Sequence, residues 1–189
     1  MGSWGATTAD ESKPKYLTDV EKRDCYADNT GWTVAAGGNG NAAAQRETLV
    51  AIGGLSGGAS ATAALAHATV SSTRFVTTTL GAAAGGAFSA EIIYNEAVDV
   101  TGTPKMTITN ETEAARNVVL DYASGTGTNR LVFTATVAAD ATTENDILAV
   151  QANSVAQDSG STIKDKGTAV DSTLTHAAQA ATTKITVGA

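Results

Sequence analysis

Little in this chain marks an enzyme or a cross-linked domain. It holds a single cysteine, Cys25. No internal disulfide can form from it, and no thiolate metal site. Basic residues are also scarce, with 12 Lys and Arg against 19 Asp and Glu and a net charge of −7. A nucleic-acid partner needs a basic stripe that displaces counterions. An anionic membrane surface needs the same charge. Neither partner is expected. No stretch reaches the roughly 18 apolar residues of a membrane-spanning helix. The opening MGSWGATTADESKPK also lacks the apolar run of a signal peptide. Aromatics make up 5% of the chain, which rules out a densely aromatic core.

Alanine, threonine and glycine fill the sequence instead. Small and β-branched residues suit pleated sheets and close backbone approach. The chain divides near residue 69. Residues 70–189 read as all-β. Phe88, Ala90, Ile92 and Tyr94 alternate with Ser89, Glu91, Ile93 and Asn95. The same period of two runs through Met106 and Ile108, through Val118, Leu120 and Tyr122, and through Leu131, Phe133, Ala135 and Val137. That period predicts half-buried strands. Turn signals separate them, at 101–104, 124–129 and 158–160. About seven strands at this spacing predict an antiparallel β-sandwich. The absence of βαβ alternation argues against a parallel sheet. A terminal strand at 183–187 completes this sheet or adds to a neighbour's edge.

Residues 1–69 read as an extended arm. Thr18-Asp-Val-Glu21 is a capping-box pattern, and it predicts a short helix from Asp19 to about Ala27. A Gly- and Asn-rich tract at 35–41 and another at 53–58 read as hinges. Glu47 to Ile52 reads as a short strand. The arm is expected to bury little core, yet it holds Trp4, Tyr16, Tyr26 and Trp32. Backbone ordering costs about 1–2 kcal/mol per residue. Aromatics on such an arm predict that it is ordered against something, either the β domain or another subunit.

The reactive inventory is thin. His67 and His176 sit in Ala-rich surroundings and read as surface or edge residues. Cys25 reads as a small buried residue on the short helix. The Gly-rich tracts lack the Gly-Lys-Ser/Thr ending of a phosphate loop. Asp140, Glu144 and Asp146 lack the spacing of a calcium loop and read as a solvated acidic turn. No catalytic, cofactor-binding or metal-ligating set is expected.

Two resemblances add to this. YNEAVDVTGTP (94–104), YASGTGTNRLVF (122–133), Ala152-Asn-Ser154 and GSTIKD (160–165) resemble the bacterial immunoglobulin-like repeat of large surface and adhesin-like proteins. The match runs over roughly residues 88–175. Ser3-Trp-Gly, ESKPKYLT (11–18), Gly31-Trp32 and ETLVAI (47–52) resemble virion structural proteins of marine tailed phages, in which such a segment precedes a domain of this type. These resemblances imply an immunoglobulin-like sandwich and a non-enzymatic virion component. The concrete expectation is a decoration or cement protein on the outer capsid surface, whose arm clamps the major capsid protein or neighbouring copies of itself. Trp4, Lys13, Lys15, Tyr16, Lys22, Arg23, Tyr26 and Trp32 are the expected contacts, aromatic anchors with local positive charge. A neck, tail or baseplate component and a host-surface carbohydrate-binding module are the alternatives.

Overall fold

A computed structural model describes residues 13–37, 43–56, 65, 67–158 and 160–189. It is mainly β, a mixed sheet of twelve strands with one short helix. The helix, α1 (Asp19–Asp24), is followed by β1 (Cys25–Asp28), β2 (Gly31–Val34) and β3 (Glu47–Ala51). Next come β4 (Val70–Phe75), β5 (Gly86–Thr101), β6 (Lys105–Asn110), β7 (Val118–Ser124) and β8 (Thr128–Val137). Four short strands close the chain: β9 (Ile147–Ala149), β10 (Val155–Ala156), β11 (Thr162–Asp165) and β12 (Ile185–Thr186).

The strand order is β12-β9-β6-β7-β8-β5-β1-β2-β3, with β10 beside β6, and β4 and β11 beside β5. Among the named strands every pairing is antiparallel except that of β1 with β5. The terminal strand stays within the chain, since Ile185 and Thr186 pair with Leu148 and Ile147.

Alternation builds the main core. Met106 and Ile108, Leu120, Leu131 and Phe133, and Val137 turn inward from their strands and are buried. Phe88, Ala90, Ile92 and Tyr94 do the same from β5. The few aromatics are spent here. Phe75 meets Phe88 with ring centroids 5.5 Å apart, and Tyr122 meets Phe133 edge-on at 6.0 Å. Such pairs contribute about 0.5–1.5 kcal/mol beyond their area burial.

Two local expectations need correcting. The capping box forms as read: Glu21 N–H donates to Thr18 Oγ1 at 3.3 Å, and Thr18 N–H donates to Glu21 Oε2 at 2.8 Å. The helix nevertheless ends at Asp24 instead of near Ala27. Cys25, Tyr26, Ala27 and Asp28 turn extended because they pair with Val34, Thr33, Trp32 and Gly31. A hairpin that buries all eight of these residues at least in part outweighs six residues of weak helix propensity. Gly31 sits at φ 135°, and a Cβ there would lie 2.0 Å from the Val50 carbonyl oxygen. No other residue fits that approach.

The second correction concerns β5. Its outer register was expected to face solvent, yet Glu91 and Ile93 are buried along with their inward neighbours. At this level Arg130 links Glu91 to Asp24 of the N-terminal segment. That segment also carries its own small core, in which Leu17, Cys25, Ala27, Trp32, Val34 and Leu55 cluster.

Phe133 is buried in the middle of β8, so Phe133→Ala leaves a cavity in the main core. Its expected cost is about 3–5 kcal/mol, read from the urea midpoint at unchanged denaturant slope.

Candidate functional site: the seam between the N-terminal segment and the sheet

The seam starts from a gap in a ladder. β8 pairs with β5 from Gly86 to Ile93, and again at Val98. Between these points the β5 backbone needs other partners. Glu96 takes Ala27 of β1 as its parallel neighbour. Asn129, buried on β8, donates from Nδ2 to the Tyr94 carbonyl at 3.2 Å and to the Arg23 carbonyl at 3.3 Å. One amide thus ties β5 to the end of α1.

Beside it lies an ionic chain. The Glu91 carboxylate is almost fully buried and accepts from Arg74 and from Arg130. Arg130 Nη2 reaches Glu91 Oε2 at 2.9 Å, while its Nη1 reaches Asp24 Oδ1 of α1, also at 2.9 Å. A buried carboxylate is tolerable only with such partners. Arg130 is the bridge that lets the helix end and the strand share one charge network.

Behind the seam lies a cleft of about 580 Å³, lined on one side by Tyr26, Asp28, Arg46 and Ser56 and on the other by Ala97, Gly127 and Lys166. Its cations are already engaged. Arg46 pairs with Asp28, and Lys166 Nζ donates to the Gly127 carbonyl at 3.3 Å. Burial opposes ionisation of Asp28, but hydrogen bonds from Thr30 and Arg46 hold its carboxyl below the usual range. Glu96 and Asp165 sit together beside this cleft, both buried. Burial pushes the Glu96 carboxyl up to about 8, with Ser56 opposing and the neighbouring Asp165 adding to the rise.

The expected contact residues divide into three groups. Trp4 lies outside the described residues. Tyr26 and Trp32 are 8% and 3% exposed, inside the chain. Hairpin pairing turned them inward, so in this conformation they anchor the segment to its own sheet and present nothing to a partner. Lys13 Nζ donates to the Lys22 carbonyl at 2.7 Å. Burial lowers its pKa, with Cys25 and Asp24 opposing. Arg23 Nε lies 3.8 Å from Asp24 Oδ1, and Lys22 Nζ lies 3.7 Å from Asp19. Lys15 and Tyr16 are exposed, Tyr16 by 71%, and Val20 on the same short segment by 54%.

Other sequence candidates also take structural positions. Cys25 is fully buried at the start of β1 instead of on the helix. Burial pushes its thiol up to about 11, with Lys13 opposing. A thiol so protonated is a poor nucleophile. His176 was read as a surface or edge residue and is buried. Its Nε2 accepts from Ser154 N–H at 3.0 Å, and its Nδ1 lies 2.9 Å from the Ala177 carbonyl. That pair of contacts places the proton on Nδ1 and uses the ring as a brace. His67 is half-buried. The acidic turn is only partly solvated. Asp146 is buried, where Oδ2 accepts from Asn110 Nδ2 and from Thr143 N–H, each at 2.7 Å.

Glu91, Arg130, Asn129, Glu96 and Asp165 were not singled out by sequence reasoning. The available signals were small: a Glu and an Ile on the supposedly wet face of a strand, and an Asn at the start of another. No protein-family model matches the chain, and no curated protein or solved structure matches it.

Arg130→Met removes the bridge while keeping most of the packing. It leaves Glu91 with Arg74 alone, at an expected cost of about 1–3 kcal/mol. Hydrogen exchange should show the loss concentrated in α1 and β1, with β6 and β7 close to wild type.

Proposed function

We propose that this chain is a non-enzymatic structural component of a tailed-phage particle, a decoration or cement protein on the outer capsid surface. The resemblance of the N-terminal segment and of residues 88–175 motivates the assignment to a virion. The observation that carries the docking part of the reading is the position of Tyr16 and Val20. They are exposed together, beside Lys15, on a segment that is otherwise bolted to the sheet. Of the strand aromatics, Trp32 packs in the small core and Tyr26 lines the cleft. An exposed tyrosine on a rigid support is a suitable anchor, and its ordering cost has already been met by folding.

The finer fold reading is an immunoglobulin-like sandwich for residues 70–189. It is supported by the way β5 changes partners along its length. Its first half lies between β4 and β8, while its second half pairs with β11. Ile163 of β11 joins Phe88 and Phe133 in one core. In this reading the acidic, Thr-rich domain faces solvent. The N-terminal face meets the major capsid protein, and two or three contacts on one chain engaging together make a modest affinity strong. Burial at each contact contributes roughly 25 cal/mol per Å² of apolar surface before association costs.

The test is a saturation binding assay on separated phage heads and tails, with the full chain and a Tyr16→Asp variant. Tyr16 is exposed, so the variant should fold. The expected outcome is saturation of heads at many copies and about a 10–100-fold loss of affinity for the variant, or about 1.4–2.8 kcal/mol. Binding confined to tails would make it a neck, tail or baseplate component. Binding to host cells instead of either part would make it an adhesion module.

A further inference from the structure

We infer that Glu96 and Asp165 share a single proton on the sheet side of the seam, where β1 and Ser56 of the N-terminal segment adjoin Glu96, and that the segment is released when this proton is lost. The geometry starts with what the two side chains lack. Glu96 is 0% exposed, and neither of its carboxyl oxygens has a hydrogen-bond partner. Asp165 is 1% exposed, and its Oδ2 has no partner either. Asp165 Oδ1 is fully used, accepting from Gly167 N–H at 2.7 Å and from Thr168 N–H at 2.8 Å. Buried polar atoms of native proteins find partners with few exceptions. One proton between the two neighbouring carboxyl groups gives one idle oxygen of each a partner.

The surrounding charges do not offer another solution. From β1, Asp28 faces the cleft and is bound to Arg46. From the turn after β11, Lys166 spends its ammonium on the Gly127 carbonyl. The Ser56 hydroxyl, from the chain after β3, adjoins Glu96 and favours its ionised form, against the larger effect of burial. No cation among these neighbours is directed at the pair. Two like charges in a buried site cannot both ionise cheaply, so one proton stays.

The location makes the pair a latch. Glu96 is the β5 residue that pairs with Ala27 of β1. Asp165 is the β11 residue that pairs with Val98, two positions further along β5. Opening the seam lets water reach both groups. The direction of the linkage follows from where Glu96 holds its proton. Its carboxyl is raised to about 8, chiefly by burial, from an ordinary value of 4.5. The closed form therefore binds more protons than the open form between these two values. Closure is fully favoured below the lower one, weakens as pH rises, and levels off above the higher one.

The experiment is hydrogen exchange of the full chain between pH 5 and 9.5, with β1 and β2 protection factors corrected for the intrinsic rate. Infrared spectroscopy at pH 7 accompanies it. Wild-type protection at β1 and β2 should fall by roughly tenfold per pH unit through the window, then flatten. β6 and β7 should not follow. The infrared spectrum should show one neutral buried carboxyl, absent in Glu96→Gln. Glu96→Gln should hold its protection flat across the range. If that variant does not fold, Asp165→Asn serves. It keeps the Oδ1 acceptor and removes the like charge, so the fall should shift to lower pH. Three results would overturn the inference: no neutral carboxyl at pH 7, an unchanged slope in the variant that folds, or protection that a chelator abolishes, which would mean a cation holds the pair.

Discussion

The structure depends on what happens to the backbone of β5 between Ile93 and Val98. That strand runs for sixteen residues and has β4, β8, β11 and β1 as neighbours. A strand this long and this buried cannot let its ladder lapse without replacing the missing bonds. β8 gives up the register there, and the N-terminal segment supplies what is lost. Asn129 caps the Tyr94 carbonyl, and β1 comes alongside Glu96 in the one parallel pairing among the named strands. The position of the whole N-terminal segment follows from that substitution.

The outer face of β5 is not a wet surface where the segment approaches it. Glu91 is taken out of water, and its charge must be matched at the same time. Arg130 does this from the adjacent strand and then reaches on to Asp24. The arrangement is directional. Arg130 turns Nη2 to the Glu91 carboxylate on the sheet and Nη1 to Asp24 at the helix end, and the planar guanidinium fixes the angle between them. Hydrophobic area holds the hairpin down through Trp32, Val34 and Leu55. The ionic chain and Asn129 decide where on the sheet it is held. A small core gives affinity with little direction, and hydrogen-bonded charges give direction with modest net energy.

How much of this could be read from the chain differs by region. The sheet strands were legible because a face packed on a core writes period two into the sequence, as at Met106 and Ile108 or Leu131 and Phe133. The capping box was legible because Thr18 and Glu21 bond within four residues. The end of α1 was not, since Cys25 to Asp28 is helical or extended depending on Gly31 to Val34 across a turn, and pairing decides it. The seam was not legible for the same reason on a larger scale. Glu91 and Arg130 are 39 residues apart, and Asn129 and Arg23 are 106 apart. Nothing local announces such contacts. Tyr26 and Trp32 were read as anchors for a partner because an aromatic on a poorly cored arm wants a surface. They found one in the same chain.

The seam changes what an assembly contact would require of this protein. A free arm pays its ordering cost when it docks, at about 1–2 kcal/mol for each residue fixed. Here the segment from Lys13 to Val34 has already met that cost against β5. A contact through Tyr16 and Val20 therefore draws on a preorganised face, and more of its burial survives as affinity. The same economy has a consequence for control. Because the face is rigid only while the seam is closed, whatever loosens the seam also returns the ordering cost to the contact. A buried pair such as Glu96 and Asp165 then acts on a surface it never touches. It does so through the equilibrium of the segment that carries Tyr16, with no need for a chain of moving side chains between them.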